Sequence, residues 1–240
     1  MKKICFIVPR YHPIIGGTEL LAKNIIEHIG MNSNSVVEII TQPSGHFEER
    51  KNYPYKIIEI PFFDDIPFNK QISNSSYDLC VFFCDLHTPY LNYYNISCKN
   101  NICILNLDET TYDNKEAWGL ERAKLNLKKF NLVISFTKNG IANKFLEENN
   151  INWKYIPNFS RDILNTKKNI DFKNKLFKNK NKTLLYNAAI ENRKNQLNVV
   201  EMICNSEDLK KYNWIFIGTT PELKYLDHCV DLIKQNNLED

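Results

Sequence analysis

The 240 residues suffice for one large domain, or for one full domain and part of another, and the 43% hydrophobic content supports an ordinary core. A net charge of +3 is too small for a dedicated nucleic-acid binder. No stretch approaches the roughly 20 consecutive apolar residues that a membrane-spanning helix needs.

The seven cysteines (Cys5, Cys80, Cys84, Cys98, Cys103, Cys204 and Cys229) are scattered, several of them inside apolar runs. That usage fits small core hydrophobes in a reducing compartment, and no Cys or His pair has zinc-ligand spacing. The apolar run after Met1-Lys2-Lys3 is too short for a secretion signal, and Arg10 and His12 stand where a cleavage region would be. A cytoplasmic protein is expected.

In chain order, the run Ile4–Val8 predicts a first strand that stops at Pro9, and the following loop ends in Gly16-Gly17. Leu20, Leu21, Ile25, Ile26 and Ile29 recur at helical spacing from Thr18 onward. Thr18 suits a hydroxyl cap and Glu19 a favourable first-turn charge. A strand, a glycine turn and a helix start bring backbone N–H groups and the helix dipole to one point, where an anion can sit. The same residues also describe an ordinary joint that needs glycine for its turn.

Further strands are expected at Val36–Thr41, Lys56–Ile60, Leu79–Cys84, Ile102–Leu107, Leu132–Phe136 and Trp153–Ile156. Helices are expected at Lys115–Phe130 and Lys138–Asn149. The strand runs are continuously apolar rather than alternating, so a parallel sheet covered on both faces is expected. In such a fold, ligands collect beyond the carboxyl ends of the strands. Gly16, Asp85 to Thr88, Asp108 to Tyr112 and Thr137 all follow a predicted strand and converge on that edge.

From Arg161 to Lys182 the chain is rich in charge and poor in apolar residues. Arg161, Lys167, Lys168, Lys173, Lys175, Lys178, Lys180 and Lys182 stand against Asp162 and Asp171. This is either a solvated linker or a surface for anionic lipid or a phosphorylated acceptor. The stretch with Arg122, Lys124, Lys128 and Lys129 is a second basic surface of that kind. A new strand–helix alternation follows: Thr183–Tyr186, a helix from about Arg193 to Cys204, Trp214–Ile217 and a helix over Pro221–Gln235.

Pro9-x-Tyr11-x-Pro13-x-x-Gly16-Gly17-x-Glu19, directly after a first strand, resembles the opening of GT-B glycosyltransferases of the family 4 type. Asn131 to Lys138 resembles the strand announcing the last part of that family's first domain. Tyr155-Ile156-Pro157-Asn158 resembles the step into its interdomain linker. Asn187 to Gln196, with Lys194-Asn195, resembles the first loop of the donor-binding domain, and Ile217 to Thr220 its second strand and glycine loop.

The resemblance implies an α/β protein of GT-B type, with a complete Rossmann-like domain over residues 1–157, a basic linker over 158–182 and a partial second Rossmann-like domain over 183–240. It implies transfer of a sugar from a UDP- or GDP-sugar to a glycan or lipid-linked acceptor, with retention and with no metal or other cofactor. Gly16 and Gly17 would face Arg193 and Lys194 across an interdomain cleft, the two cations neutralising the departing diphosphate. Glu19 would be structural, and His12 and Thr137 would lie on the acceptor side.

The pattern also breaks. The arginine expected upstream of Lys194 is replaced by Ala189, and no suitably placed Glu-x7-Glu exists to hold the donor. Where the family often carries a histidine, this chain has Asn106-Leu107-Asp108-Glu109-Thr110-Thr111-Tyr112. Asp108 and Glu109 there are either a base with an acceptor-binding partner or a helix cap with an early acid. His87, after a different strand, is another acceptor-facing candidate. The second domain spans only two strand–helix units, which suggests a fragment, a truncated product or one part of a split enzyme. Two outcomes are expected: a glycosyltransferase-like protein with a weakened donor site, peripheral at the inner membrane face, or a non-catalytic subunit docking to a partner chain that supplies the rest.

Overall fold

The computed structural model describes residues 1–14, 16–45, 49–50, 53–61, 70–71, 76–84, 98–105, 124–158, 177 and 181–238. The chain forms two compact units, Met1–Asp162 and Ile163–Asp240, and their boundary falls inside the expected basic linker.

In the first unit the elements run β1 (Lys2–Val8), α1 (Gly17–Asn32), β2 (Ser35–Thr41), β3 (Lys56–Glu59), β4 (Leu79–Cys84), β5 (Asn101–Leu105), β6 (Leu132–Ser135), α2 (Ile141–Glu148) and β7 (Trp153–Tyr155). All seven strands are parallel, in the order β3-β2-β1-β4-β5-β6-β7. Alternate residues of the apolar runs fill two separate cores. On one face Cys5, Ile7, Phe82, Cys103 and Val133 pack with Leu127, Phe130, Phe145 and Leu146. On the other, Ile4, Phe6, Val8, Val81 and Phe83 pack with Leu21, Ala22 and Ile26 of α1. Burial on both faces is why these strands read as continuous rather than alternating.

Strand order reverses between β1 and β4, since β2 lies on one side of β1 and β4 on the other. In an open parallel sheet the crevice beyond that reversal is where ligands bind. The loop after β1 therefore occupies the most informative position in the unit.

A buried charge lies within the sheet. Glu38 on β2 is buried, accepts a hydrogen bond from the Tyr77 hydroxyl at 2.7 Å and pairs with Lys3 at 3.1 Å and Lys56 at 3.5 Å. Burial by itself pushes its carboxyl up. The Tyr77 hydrogen bond and the two lysines outweigh burial and hold it below the usual carboxylate range.

In the first unit two helix starts differ from expectation. Helix α1 begins at Gly17 with Gly16 as its cap, so Thr18 lies inside the first turn and caps nothing. Helix α2 begins at Ile141 rather than near Lys138, because the Asn143 carboxamide accepts from the Gly140 N–H at 3.0 Å and sets the first turn there. Of the predicted helix Lys115–Phe130, only residues from 124 onward lie among those described, with 124–127 helical.

The second unit holds β8 (Thr183–Asn187), α3 (Gln196–Asn205), β9 (Asn213–Ile217) and α4 (Leu223–Gln235), with β8 and β9 parallel. Phe216 stacks with Tyr186 of the neighbouring strand and with Trp214 of its own. Gly218 is required by a close approach, because a Cβ there would run into the backbone carbonyl of Ala188. Among the described residues no helix is long and apolar enough to cross a membrane.

Candidate functional site

Each unit contributes one strand–loop–helix turn. In the first unit, β1 leads through residues 9–14 to Gly16, and Leu20 N–H makes the first helical bond, to the Gly16 carbonyl at 3.0 Å. The N–H groups of Gly17, Thr18 and Glu19 precede that bond and have no intrahelical acceptor.

The two glycines have different reasons to be there. Gly16 is extended (φ −163°), a conformation open to any residue, but a Cβ on it would meet the Glu19 carboxylate. Glu19 is 3% exposed and pairs with Arg10 at 2.9 Å. A Cβ on Gly17 would meet none of the described residues, and the residue is exposed at the first helical position. None of the described residues gives glycine a steric reason to stand there.

His12 is half-buried, with its ring centroid 5.3 Å from that of Tyr53. Desolvation and the nearby Lys23 push its imidazole below the ordinary histidine range, which keeps it neutral at pH 7. Tyr53 donates to Glu27 at 3.0 Å, and burial raises its phenol to about 12.

A residue absent from the candidates above underlies this loop. Arg50 is buried and donates from Nε to the His12 carbonyl at 2.9 Å and from one Nη to the Tyr11 carbonyl at 3.0 Å. Its other Nη reaches the Gln42 carbonyl at 3.4 Å and pairs with Glu59. Within Glu48-Glu49-Arg50-Lys51 it reads as part of a solvated charge run, and no local pattern distinguishes it.

Thr137, after β6, donates to Asn143 Oδ1 at 2.9 Å, while Asn143 Nδ2 donates to Ser135 at 3.2 Å. Its hydroxyl is thus committed to the cap of α2. Asp108, Glu109 and His87 lie outside the described residues.

In the second unit, β8 runs into a loop laced to the one after β9. Ala188 N–H bonds the Ile217 carbonyl at 3.0 Å, Ile190 N–H the Thr219 carbonyl at 2.8 Å, and Asn192 N–H the Glu222 carboxylate at 3.2 Å. Arg193 and Lys194 do not open the helix as expected. They occupy a separate 3₁₀ turn, Asn192–Lys194, and Asn195 in the left-handed region (φ 62°) divides it from α3. Asparagine tolerates that region better than most residues.

The two cations are not equivalent. Arg193 pairs with Glu191 at 2.7 Å. Lys194 is half-buried, its carbonyl accepts from the Tyr186 hydroxyl at 2.5 Å, and its ammonium has no acceptor among the described residues. Beneath it, Gln196 is 2% exposed and donates to the Ala189 carbonyl at 2.6 Å. Among the described residues, the arrangement presents Lys194 as an unpaired cation on a turn whose backbone is pinned by hydrogen bonds. Gly16, Gly17 and His12 belong to one unit, and Arg193 and Lys194 to the other.

A seven-stranded parallel sheet with helices on both faces, followed by a second unit of the same strand–helix kind, defines a GT-B type fold. Solved structures agree. HepE from Anabaena, in complex with UDP and glucose, matches with a TM-score of 0.72 at 17% identity, over 100% of this chain and 68% of that one. Sucrose-phosphate synthase from Thermosynechococcus elongatus matches with 0.72 at 12% identity, over 100% and 69%. A glycosyltransferase from Rickettsia africae matches with 0.64 at 13% identity, over 100% and 66%. No protein-family model matches the sequence, and no curated protein matches it. At these identities the likeness establishes the fold.

Proposed function

We propose that this chain is a glycosyltransferase-like protein of the family 4 type, moving a sugar from a UDP- or GDP-sugar to a glycan or lipid-linked acceptor with retention of configuration and no metal. The observation that carries the reading is Gly17, which leaves the start of α1 bare beside the strand-order reversal although a side chain there would meet none of the described residues. A backbone kept bare where the fold has room is what close approach by an anionic ligand requires.

Lys194 supplies the complementary charge. As the bond between the sugar and the diphosphate breaks, negative charge grows on the leaving oxygen, and a preorganised ammonium stabilises it. Arg193, already paired with Glu191, is the lesser contributor. His12, neutral at pH 7, and Thr137 belong to the acceptor side, as do Asp108, Glu109 and His87. The HepE complex with UDP and glucose supports a nucleotide-sugar as the ligand. The protein would work in the cytoplasm, peripheral at the inner membrane face, with its basic segment toward anionic lipid.

Because Ala189 stands where the resemblance expects a donor-binding arginine, donor binding should be weak and turnover slight. Calorimetry with UDP-glucose and GDP-mannose tests this, with dissociation constants expected near the millimolar range, about −4 kcal/mol. Micromolar affinity with sugar transfer would overturn the weakened donor site. Absence of saturable binding by any nucleotide would overturn the glycosyltransferase reading.

A second reading, a subunit that docks to a partner chain, is favoured by one observation. Leu185 and Ile217 on the neighbouring strands β8 and β9 are 60% and 48% exposed, whereas parallel sheets are ordinarily covered on both faces. Sedimentation showing a monomer at every concentration would count against it.

A further inference from the structure

We propose that Arg50 is the positioning residue of the loop after β1, fixing the backbone on both sides of His12. Its value as a positioning group rests on the functional reading above, but the geometry is independent of it.

The carbonyl of Tyr11 belongs to the peptide plane before the His12 Cα, and the carbonyl of His12 to the plane after it. Each plane is rigid, so holding both carbonyls fixes the two soft dihedrals of His12 and the direction its side chain leaves the chain. Arg50 holds both at once, by Nη at 3.0 Å and Nε at 2.9 Å. The remaining Nη ties the pair to Gln42, just after β2, and to Glu59 at the end of β3. β3, β2 and β1 are neighbours in the sheet, so one guanidinium joins the carboxyl ends of three adjacent strands.

Burying a guanidinium is expensive, and replacing a buried ion pair by apolar residues is often neutral or stabilising. Stability alone therefore explains the arrangement poorly. A planar fork that meets two successive carbonyls and a carboxylate is a geometric device, and lysine, a single point charge, cannot reproduce it.

The experiment uses the full chain and amide hydrogen exchange. Reporters inside the clamp are Ile14 N–H, bonded to the Tyr11 carbonyl at 3.3 Å, and Gln42 N–H, bonded to the Pro9 carbonyl at 3.2 Å. References in the same unit are Ser33 N–H on the Ile29 carbonyl and Asn149 N–H on the Phe145 carbonyl. Arg50→Lys should speed exchange at Ile14 and Gln42 about tenfold, with Ser33 and Asn149 nearly unchanged. Arg50→Ala should behave likewise, and millimolar guanidinium ion should restore protection at Ile14 alone of the two variants. Glu38→Gln, which weakens the same unit elsewhere, should not single out these amides.

A uniform rise at all four amides in Arg50→Lys, or no change at Ile14, overturns the proposal. If Arg50→Ala does not fold, Arg50→Lys decides. Adding UDP separates the two ideas: wild-type protein without protection at Gly17 refutes the nucleotide reading while leaving the Arg50 result standing.

Discussion

The two candidate turns have the same plan, a parallel strand running into a loop and a helix, yet they are held in opposite ways. The turn after β1 is fixed by buried charge, with Arg50 under its carbonyls and Glu19 against Gly16. The turn after β8 is fixed by backbone lacing to its neighbour and by Asn195 in the left-handed region, with its ionic contacts at the surface. The first leaves bare N–H groups and the second leaves a cation. The contrast implies that they fail differently under mutation.

The largest effect is expected where the lacing is tightest. Gly218→Ala places a methyl group against the Ala188 carbonyl, and the two loops must part. A loss of about 2–3 kcal/mol, as for overpacked sites, should appear in urea unfolding of the second unit, with faster exchange at Ile190 N–H. Exchange at Ile14 N–H in the first unit should not follow. Next comes Lys194→Ala, which should weaken UDP binding about tenfold, or 1.4 kcal/mol, with little change in melting temperature. Arg193→Ala should cost clearly less, because Glu191 already engages that charge. Equal losses would erase the distinction between the two cations.

Much of this was legible beforehand, and the limits are instructive. The strands stand out because residues such as Cys5, Phe6 and Ile7 fill cores on both faces, which leaves continuous apolar runs. The ends of helices were read less well. Lys194 looked like a helix start because Leu197, Val200 and Cys204 continue its periodicity, but the left-handed Asn195 inserts a break that spacing cannot reveal. Gly16 and Gly17 were legible as a pair, whereas their division of labour depends on where the Glu19 carboxylate lies. Arg50 was not legible at all. Its partners are Tyr11, His12, Gln42 and Glu59, drawn together only by sheet order.

The first unit offers a pH test at a smaller scale. The folded-state pKa of Glu38 lies below its unfolded value, so its ion pairs stabilise the protein above the ordinary carboxylate range. That contribution is lost as pH falls through the folded pKa. Glu38→Gln keeps an acceptor for Tyr77 but loses the pairs with Lys3 and Lys56, and should cost about 1 kcal/mol at pH 7. The two proteins should converge only once pH has fallen through the lowered folded pKa of Glu38. A gap that persists in acid would mean that packing, rather than charge, makes Glu38 matter.

The smallest change in stability carries the most information about function. Gly17→Ala adds a methyl group in open space at a helical position, so it should stabilise the fold by about 0.5 kcal/mol through the unfolded chain. Gly16→Ala should destabilise, because the Glu19 carboxylate must leave its place beside Gly16 and strain its pair with Arg10. A diglycine that is only a joint would let Gly17→Ala gain stability with no loss of UDP binding. A diglycine that receives phosphate or acceptor oxygen would let the same variant melt higher and bind several-fold more weakly. Thermal melts and nucleotide titrations of this one variant set the two explanations against each other, because only ligand approach makes stability and binding move in opposite directions.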